Sequence, residues 1–133
     1  MGKVFLDTHV VVWYLLDSPR LSATARQLIQ DAVASDGAWV SAISILEVGY
    51  LVEKGKLPTE AFDRFLDFVA RMDAGLHVAA LDTQVARAAT EKISRESIPD
   101  MPDRIIAATA LVLNIPLITH DARIRAAGIN VLL

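Results

Sequence analysis

Short apolar segments alternate along this chain with segments of helical periodicity. The strand-like segments, such as Val4-Phe5-Leu6, are continuously apolar, which is typical of strands buried on both faces. Strands of this kind, separated by helices, form parallel sheets that helices cover on both sides. The predicted strands are residues 3–6, 38–40, 76–80, 117–119 and 129–133. The sequence therefore predicts a three-layer α/β/α domain around a central parallel sheet of four to five strands.

The helices are predicted from apolar periodicity and from residues that favour helix ends. Ser22 is expected to cap the second helix, Ser41 or Ser44 the third and Thr59 the fourth. The segment from 104 to 113 is apolar nearly all round, so we expect a buried helix there. The predicted helices are residues 8–16, 22–34, 41–55, 82–93, 104–113 and 122–127, together with a helix from 59 whose apolar positions run to Val69. Residues 94–102, with two prolines, are predicted to form a loop.

Length and composition limit the class of protein. A chain of 133 residues fits one domain, here residues 1–133. There are no cysteines, so disulfides and thiolate metal sites are excluded and oxygen ligands remain. The longest apolar run, residues 10–16, is far too short to span a membrane and follows no basic segment. We therefore expect a soluble cytoplasmic protein that has no membrane partner.

Hydropathy and charge bear on partners. Hydrophobic residues make up 53% of the chain, and the mean hydropathy is +0.40. Such a composition indicates apolar surface buried in an oligomer or under a partner, and we expect a homodimer packed through helices. The net charge is −3, but setting aside four acids discussed next leaves the rest at +1. The acidic balance therefore does not exclude nucleic acid.

Four acids interrupt apolar stretches where core side chains would be expected. Asp7 ends the first predicted strand, and Asp121 follows the fourth. Glu47 shares a helical stripe with Ile43, Leu46, Tyr50 and Leu51, and Asp103 opens a stripe with Ile106, Ala107, Ala110 and Leu111. In parallel α/β sheets, ligands bind beyond the carboxyl ends of the strands, where Asp7 and Asp121 stand. A buried carboxylate is costly unless it is paired, protonated or bound to metal, so the four predict one shared site.

The chemistry of such a site follows from repulsion between its charges. Two carboxylates ~5 Å apart at an effective dielectric of ~20 repel by about 3 kcal/mol, and four contain several such pairs. Protons or a cation must relieve this repulsion. Mg²⁺ or Mn²⁺ suits an all-oxygen site and leaves positions open for phosphate and water. Metal-assisted hydrolysis of a phosphodiester by an activated water is the reaction that this pattern favours.

The four acids occur within motifs that resemble a known family. These motifs are Leu6-Asp7-Thr8-His9 with Trp13, Pro19-Arg20-Leu21-Ser22, Val40-Ser41-Ala42 leading to Leu46-Glu47-Val48, residues 100–110 from Asp100-Met101-Pro102-Asp103 onward, and Leu117-Ile118-Thr119-His120-Asp121. They resemble the PIN-domain nucleases, in particular the VapC-type toxins of bacterial toxin–antitoxin pairs, over residues 3–133. The resemblance implies a Mg²⁺- or Mn²⁺-dependent endoribonuclease, usually dimeric, that acts on RNA and is inhibited by a cognate antitoxin. It also implies that Asp7, Glu47, Asp103 and Asp121 are the catalytic and metal-binding quartet.

Each of these residues also has a simpler interpretation. Asp7, Asp103 and Asp121 stand where aspartate commonly caps a helix, and Asp100 is an alternative to Asp103 or an outer ligand. Thr8 and Thr119 flank the acids as possible hydrogen-bond donors. His9 and His120 are more often structural than catalytic at such positions, and Trp13 is expected in the core or an interface. Arg104 is either a solvated arginine or a partner of a site acid or of phosphate.

Two other functions remain open at this stage. A PIN fold retained only for protein binding would need none of the acids, and all four are present. A phosphoaccepting receiver-like domain would need an aspartate after the third strand and a lysine after the fifth. Asp82 follows the third strand, but no lysine lies beyond Lys92, which disfavours that alternative.

Overall fold

The computed structural model describes residues 2–71 and 75–133. Within them the chain forms four strands and seven helices. The strands are β1 (Val4–Leu6), β2 (Ala38–Ser41), β3 (Leu76–Ala79) and β4 (Leu117–Ile118). The helices are α1 (Thr8–Leu15), α2 (Ala23–Val33), α3 (Ala42–Glu53), α4 (Thr59–Ala70), α5 (Thr83–Glu91), α6 (Met101–Leu113) and α7 (Ala122–Ala126).

The four strands form one parallel sheet in the order β3-β2-β1-β4. The chain adds β2 and β3 on one side of β1 and then returns to place β4 on the other side. Strand order therefore reverses between β1 and β4, where a parallel α/β sheet opens a crevice beyond its strand ends. Asp7 directly follows β1, and its N–H donates to the carbonyl of Ile118 in β4 at 3.1 Å. This hydrogen bond fixes Asp7 at the crevice.

The sheet separates two apolar cores, as predicted for a three-layer fold. Val4 and Leu6 contact the core formed with α1 to α4, whereas Phe5 between them contacts the core formed with α5, α6 and α7. Leu117 and Ile118 of β4 divide in the same way. Because successive side chains of a strand point to opposite faces, continuously apolar strands fill both cores.

The C-terminal segment differs from the prediction of a fifth strand. Val131 pairs with Leu117 through a single parallel bridge, supported by hydrogen bonds between Leu117 and the backbones of Asn130 and Leu132. Since β4 itself has only two residues, it offers the last segment little backbone to pair with.

Two details of the helices also differ from prediction. Thr59 is the first residue of α4 and not its cap; Pro58 occupies the cap position without a side-chain hydrogen bond. Helix α6 begins at Met101, three residues earlier than predicted, because Asp100 caps it and Pro102 fits its first turn. The predicted caps Ser22 and Ser41 are confirmed.

The apolar stripe on α3 lies differently from the expectation. Leu46 is 69% exposed and Tyr50 is 58% exposed, so the side chains next to Glu47 form surface and not core. The buried positions of this helix are the small residues Ser44 and Val48. By contrast, α6 is buried from Ile105 to Ala110, as predicted. Within residues 2–71 and 75–133, none of the helices has the length and apolarity needed to cross a membrane.

Candidate active site

Asp7 is the innermost acid of the site. It is only 4% exposed, and both carboxylate oxygens accept hydrogen bonds. The Thr8 N–H donates to Oδ1 at 2.7 Å, and the Thr119 hydroxyl donates to Oδ2 at 2.6 Å. Asp7 is therefore the N-cap of α1, as the simpler interpretation held, and it is also linked across the crevice to the end of β4.

Glu47 reaches the same region from α3. Its Oε1 accepts a hydrogen bond of 2.6 Å from the Thr8 hydroxyl, and the Ser44 hydroxyl lies 2.8 Å from the same Thr8 oxygen. Because Thr8 has a single hydroxyl proton and gives it to Glu47, Ser44 is the donor toward Thr8. The chain Ser44–Thr8–Glu47 places the half-buried carboxylate of Glu47 beside Asp7.

Asp103 and Asp100 approach the site from the start of α6. Asp100 is exposed, and its carboxylate accepts from the Asp103 N–H at 3.2 Å, so Asp100 is the cap of this helix. Asp103 lies in the first turn and is half-buried. Of the two, Asp103 is thus the one whose carboxylate is not occupied in capping.

Asp121 caps α7 by accepting from the N–H groups of Arg123 and Ile124 at 2.8 and 3.2 Å. Its own N–H donates to the Thr119 hydroxyl at 3.0 Å. Thr119 therefore accepts from Asp121 and donates to Asp7, which joins the two acids at the ends of neighbouring strands.

The acids are close enough to perturb one another. The pKa of Asp103 is raised to about 8, first by desolvation on burial and then by the charges of Asp7, Asp100, Asp121 and Glu47. Burial also raises the pKa of Glu47, against the hydrogen bond from Thr8, with further increases from Asp7 and Asp100. Burial raises the pKa of Asp7 as well, although the hydrogen bonds from Thr119 and Thr8 oppose this rise. The structure thus brings all four predicted site acids, and Asp100, into one electrostatic cluster.

The cluster suits a hard divalent cation by its chemistry. Its charged side chains are all carboxylates, and their mutual repulsion adds to burial in raising the pKa of Asp103. However, no group of three or more His, Asp or Glu side chains in the described part of the chain is already arranged to hold an ion. Two carboxylates instead engage threonine hydroxyls, as expected of acids that repel one another.

The remaining residues considered from the sequence take different places. Arg104 does not pair with a site acid: its guanidinium donates to the carbonyls of Ala89 and Ile93, at the end of α5, at 2.8 and 3.3 Å. His9 and His120 are exposed beside the cluster and contact Trp13. Ser44 is a site residue that the sequence analysis predicted only as an alternative helix cap. Its position three residues before Glu47 on α3 indicates that the two side chains share a helix face.

Comparison with known proteins agrees with this architecture. A model of the PIN domain family matches residues 4–130. Ribonuclease VapC22 from Mycobacterium tuberculosis is 33% identical over 127 residues, which cover 95% of this chain and 92% of that protein. Two solved structures, each covering 98% of this chain and 96% of their own, share the fold. They are VapBC2 from Rickettsia felis bound to a promoter DNA fragment (TM-score 0.72, 17% identity) and a toxin–antitoxin complex from Klebsiella pneumoniae (TM-score 0.68, 20% identity).

The parallel sheet and the carboxylates beyond its strand ends define an α/β protein with an acidic site at the switch in strand order. This chain belongs to the PIN domain family. The family assignment is incompatible with the receiver-like alternative and confirms the predicted three-layer fold.

Proposed function

We propose that this protein is a metal-dependent endoribonuclease and the toxin of a toxin–antitoxin pair. Its relative from Mycobacterium tuberculosis is named a ribonuclease, and structures with the same fold are toxin–antitoxin complexes. The observation that carries the proposal is the convergence of acids from three elements distant in sequence on Asp103, whose pKa they help to raise to about 8. Three of these acids also cap helices, but capping does not require five carboxylates to gather at one place. Their mutual repulsion is costly without a ligand, and this cost supports a role in binding.

Asp7, Glu47, Asp103 and Asp121 would hold the cation, with Asp100 as an outer carboxylate. When bound, Mg²⁺ or Mn²⁺ supplies positive charge to a phosphodiester in the crevice and lowers the pKa of water. Ribonucleases of this family are in general metal-dependent; the choice of Mg²⁺ or Mn²⁺ rests on the all-carboxylate donor set.

The threonines have a positioning role in this proposal. Thr119 fixes Asp7 by donating to Oδ2, which leaves the lone pairs that face away from the hydroxyl for other ligands. Thr8 and Ser44 fix Glu47 in the same way. Groups held by packing and hydrogen bonds lose little freedom when substrate binds, which favours catalysis. Among the acids, no side chain is distinguished as a dedicated general base.

Two protein partners belong to the proposal. An antitoxin would mask the cleft, and an arginine placed among the carboxylates would pair with two oxygens and replace the cation's charge. The exposed Leu46 and Tyr50 on α3 supply apolar surface for the expected homodimer. In this proposal, residues 1–133 form one nuclease domain, and the protein acts in the cytoplasm, where RNA is available.

The test is RNA cleavage by purified protein with Mg²⁺, with Mn²⁺ and with chelator. We expect cleavage only with metal, and none from Asp7→Asn, Glu47→Gln or Asp103→Asn at unchanged folding. Asp121→Asn should be similar or milder. A wild-type protein that cleaves no RNA with either metal, yet binds its antitoxin, would instead be a protein-binding PIN module.

A further inference from the structure

Four side chains form a cluster beside the acids, which we call the Trp13 cluster: Trp13, Arg20, His9 and His120. The Trp13 ring lies 4.8 Å from that of His120, edge to face, and 6.0 Å from that of His9. The Arg20 guanidinium lies 5.1 Å from the centre of the Trp13 ring. His9 follows Asp7 by two residues, and His120 directly precedes Asp121. The cluster therefore borders the crevice at the ends of β1 and β4.

Arg20 is held in place by the loop between α1 and α2. Its own N–H donates to the Ser18 hydroxyl at 3.2 Å, and the Ser18 N–H donates to the carbonyl of Trp13 at 2.8 Å. Arg26 donates to the carbonyl of Ser18 at 3.1 Å. Leu21, the next residue after Arg20, is only 4% exposed and anchors the loop in the core. The guanidinium is thus presented from a fixed backbone.

Among the described residues, Arg20 forms no ion pair with an acidic side chain. Ion pairs across residues 2–71 and 75–133 join Arg26 to Asp17, Arg64 to Glu60 and Arg87 to Glu91, and Arg20 takes part in none of them. A guanidinium that lies against an aromatic face keeps its N–H groups in its own plane, free to bind an anion. Its planar fork matches the oxygens of phosphate.

Arg20 lies where an RNA strand would enter the acid cluster. Four carboxylates carry more negative charge than one divalent cation neutralises, so positive charge at the border of the cluster favours the entry of an RNA strand. The backbone of a bound strand must also continue out of the crevice past its border. We propose that Arg20, held on the face of Trp13, binds a backbone phosphate of the RNA strand that enters the acid cluster. This inference rests on the proposed ribonuclease function and assigns part of its substrate-binding surface.

The experiment compares Arg20→Ala, Arg20→Lys and a matched control, Arg87→Ala. Arg87 is an exposed arginine on α5, in the opposite layer, so its loss changes the net charge equally without touching the cluster. Binding of a fluorescein-labelled, mixed-sequence single-stranded RNA pool is measured over a series of salt concentrations, in the cleavage-deficient Asp103→Asn background. Steady-state cleavage of the same RNA is measured in the wild-type background.

Arg20→Ala should weaken RNA binding roughly tenfold, as expected for one lost hydrogen bond to a charged group. The slope of log affinity against log salt should fall by about 0.7, the value for one phosphate contact on a single strand. In cleavage, the loss should appear in KM with kcat nearly unchanged, because the contact exists before and during reaction. Arg20→Lys should keep most of the salt slope, and Arg87→Ala should match wild type in every measurement.

Three results would overturn the inference. The first is an Arg20→Ala protein that matches Arg87→Ala in affinity and salt slope. The second is an Arg20→Lys protein that binds RNA as weakly as Arg20→Ala, since packing on Trp13 would then be the only role of Arg20. The third concerns the antitoxin. An Arg20→Ala protein with normal RNA binding but weakened antitoxin binding would assign Arg20 to an acidic group of the antitoxin. Failure of the proposed function itself is distinct, because wild type would then neither bind nor cleave RNA.

Discussion

Replacing Asp103 with asparagine should stabilise the metal-free protein while it abolishes cleavage. The Asp103 carboxyl is half-buried near Asp7, Asp100, Asp121 and Glu47, and its pKa is raised from 3.8 to about 8. Asparagine has nearly the same shape and carries no charge, so it removes both the desolvation cost and the repulsion. Its backbone N–H still donates to Asp100, and the cap of α6 is therefore retained.

The magnitude follows from the pKa. At about 1.4 kcal/mol per tenfold change in proton affinity, a rise from 3.8 to about 8 sets a ceiling of roughly 6 kcal/mol on the cost of ionising Asp103. Solvent screening of a half-exposed carboxyl reduces this to about 1–3 kcal/mol. Loss of a negative charge from the first turn of α6 costs about 0.3–1 kcal/mol in the opposite direction. Relief of burial and repulsion together outweighs the lost helix interaction, so we expect a net gain of about 1–2 kcal/mol.

The sign of the pH dependence follows from the same pKa. As the pH rises above 3.8, Asp103 of the unfolded chain loses its proton, whereas the folded protein keeps it until about pH 8. This carboxyl therefore lowers the free energy of unfolding between about pH 4 and pH 8, and adds no further change above that. The asparagine variant lacks this decline.

The assay is urea denaturation in chelator at several pH values from 5 to 9, on wild type, Asp103→Asn and Asp63→Asn. Asp63 is exposed on α4, so its substitution controls for the change in net charge. The gap between Asp103→Asn and wild type should widen from pH 5 to pH 8. A variant less stable than wild type at pH 8, or a gap independent of pH, would refute the argument from repulsion.

Four further predictions concern the surroundings of the site. Mg²⁺ or Mn²⁺ should raise the Tm of wild type, because a ligand that binds the folded state stabilises it by mass action. The rise should be smaller for Asp7→Asn, and equal shifts would mean that Asp7 does not bind the metal. Thr119→Val should cost about 1–3 kcal/mol in urea denaturation and reduce kcat, since its buried hydroxyl donates to Asp7 and accepts from Asp121, whereas Thr119→Ser should retain both properties. Arg104→Met should lower the free energy of unfolding by about 1–3 kcal/mol, because two carbonyls at the end of α5 lose their hydrogen bonds. Metal should still raise the Tm of this variant; if it does not, Arg104 belongs to the metal site. Asp100→Asn should keep its stability and most of its cleavage, because asparagine caps helices as well as aspartate does, and an inactive Asp100→Asn beside an active Asp103→Asn would reverse their assignment.

The sequence by itself determined the layered fold and the residues of the acid cluster. Both depend on local patterns: continuously apolar strands require helices on both faces, and an acid directly after such a strand lies at the edge of the sheet. Asp7 and Asp121 were predicted there for this reason, and Asp103 from its place at the start of an apolar helix. The caps Ser22 and Ser41 were predictable because a cap depends on the few residues that follow it.

Only the tertiary structure decided how these residues act on one another. The hydrogen bond from Thr119 to Asp7 joins residues 112 positions apart, and the contact of Trp13 with His120 depends on the placement of β4 beside β1. Periodicity on α3 showed an apolar stripe but not which side faces solvent, because the surrounding helices decide that. The raised pKa of Asp103 likewise depends on tertiary structure, because packing buries the carboxyl and strand order brings the other carboxylates close to it.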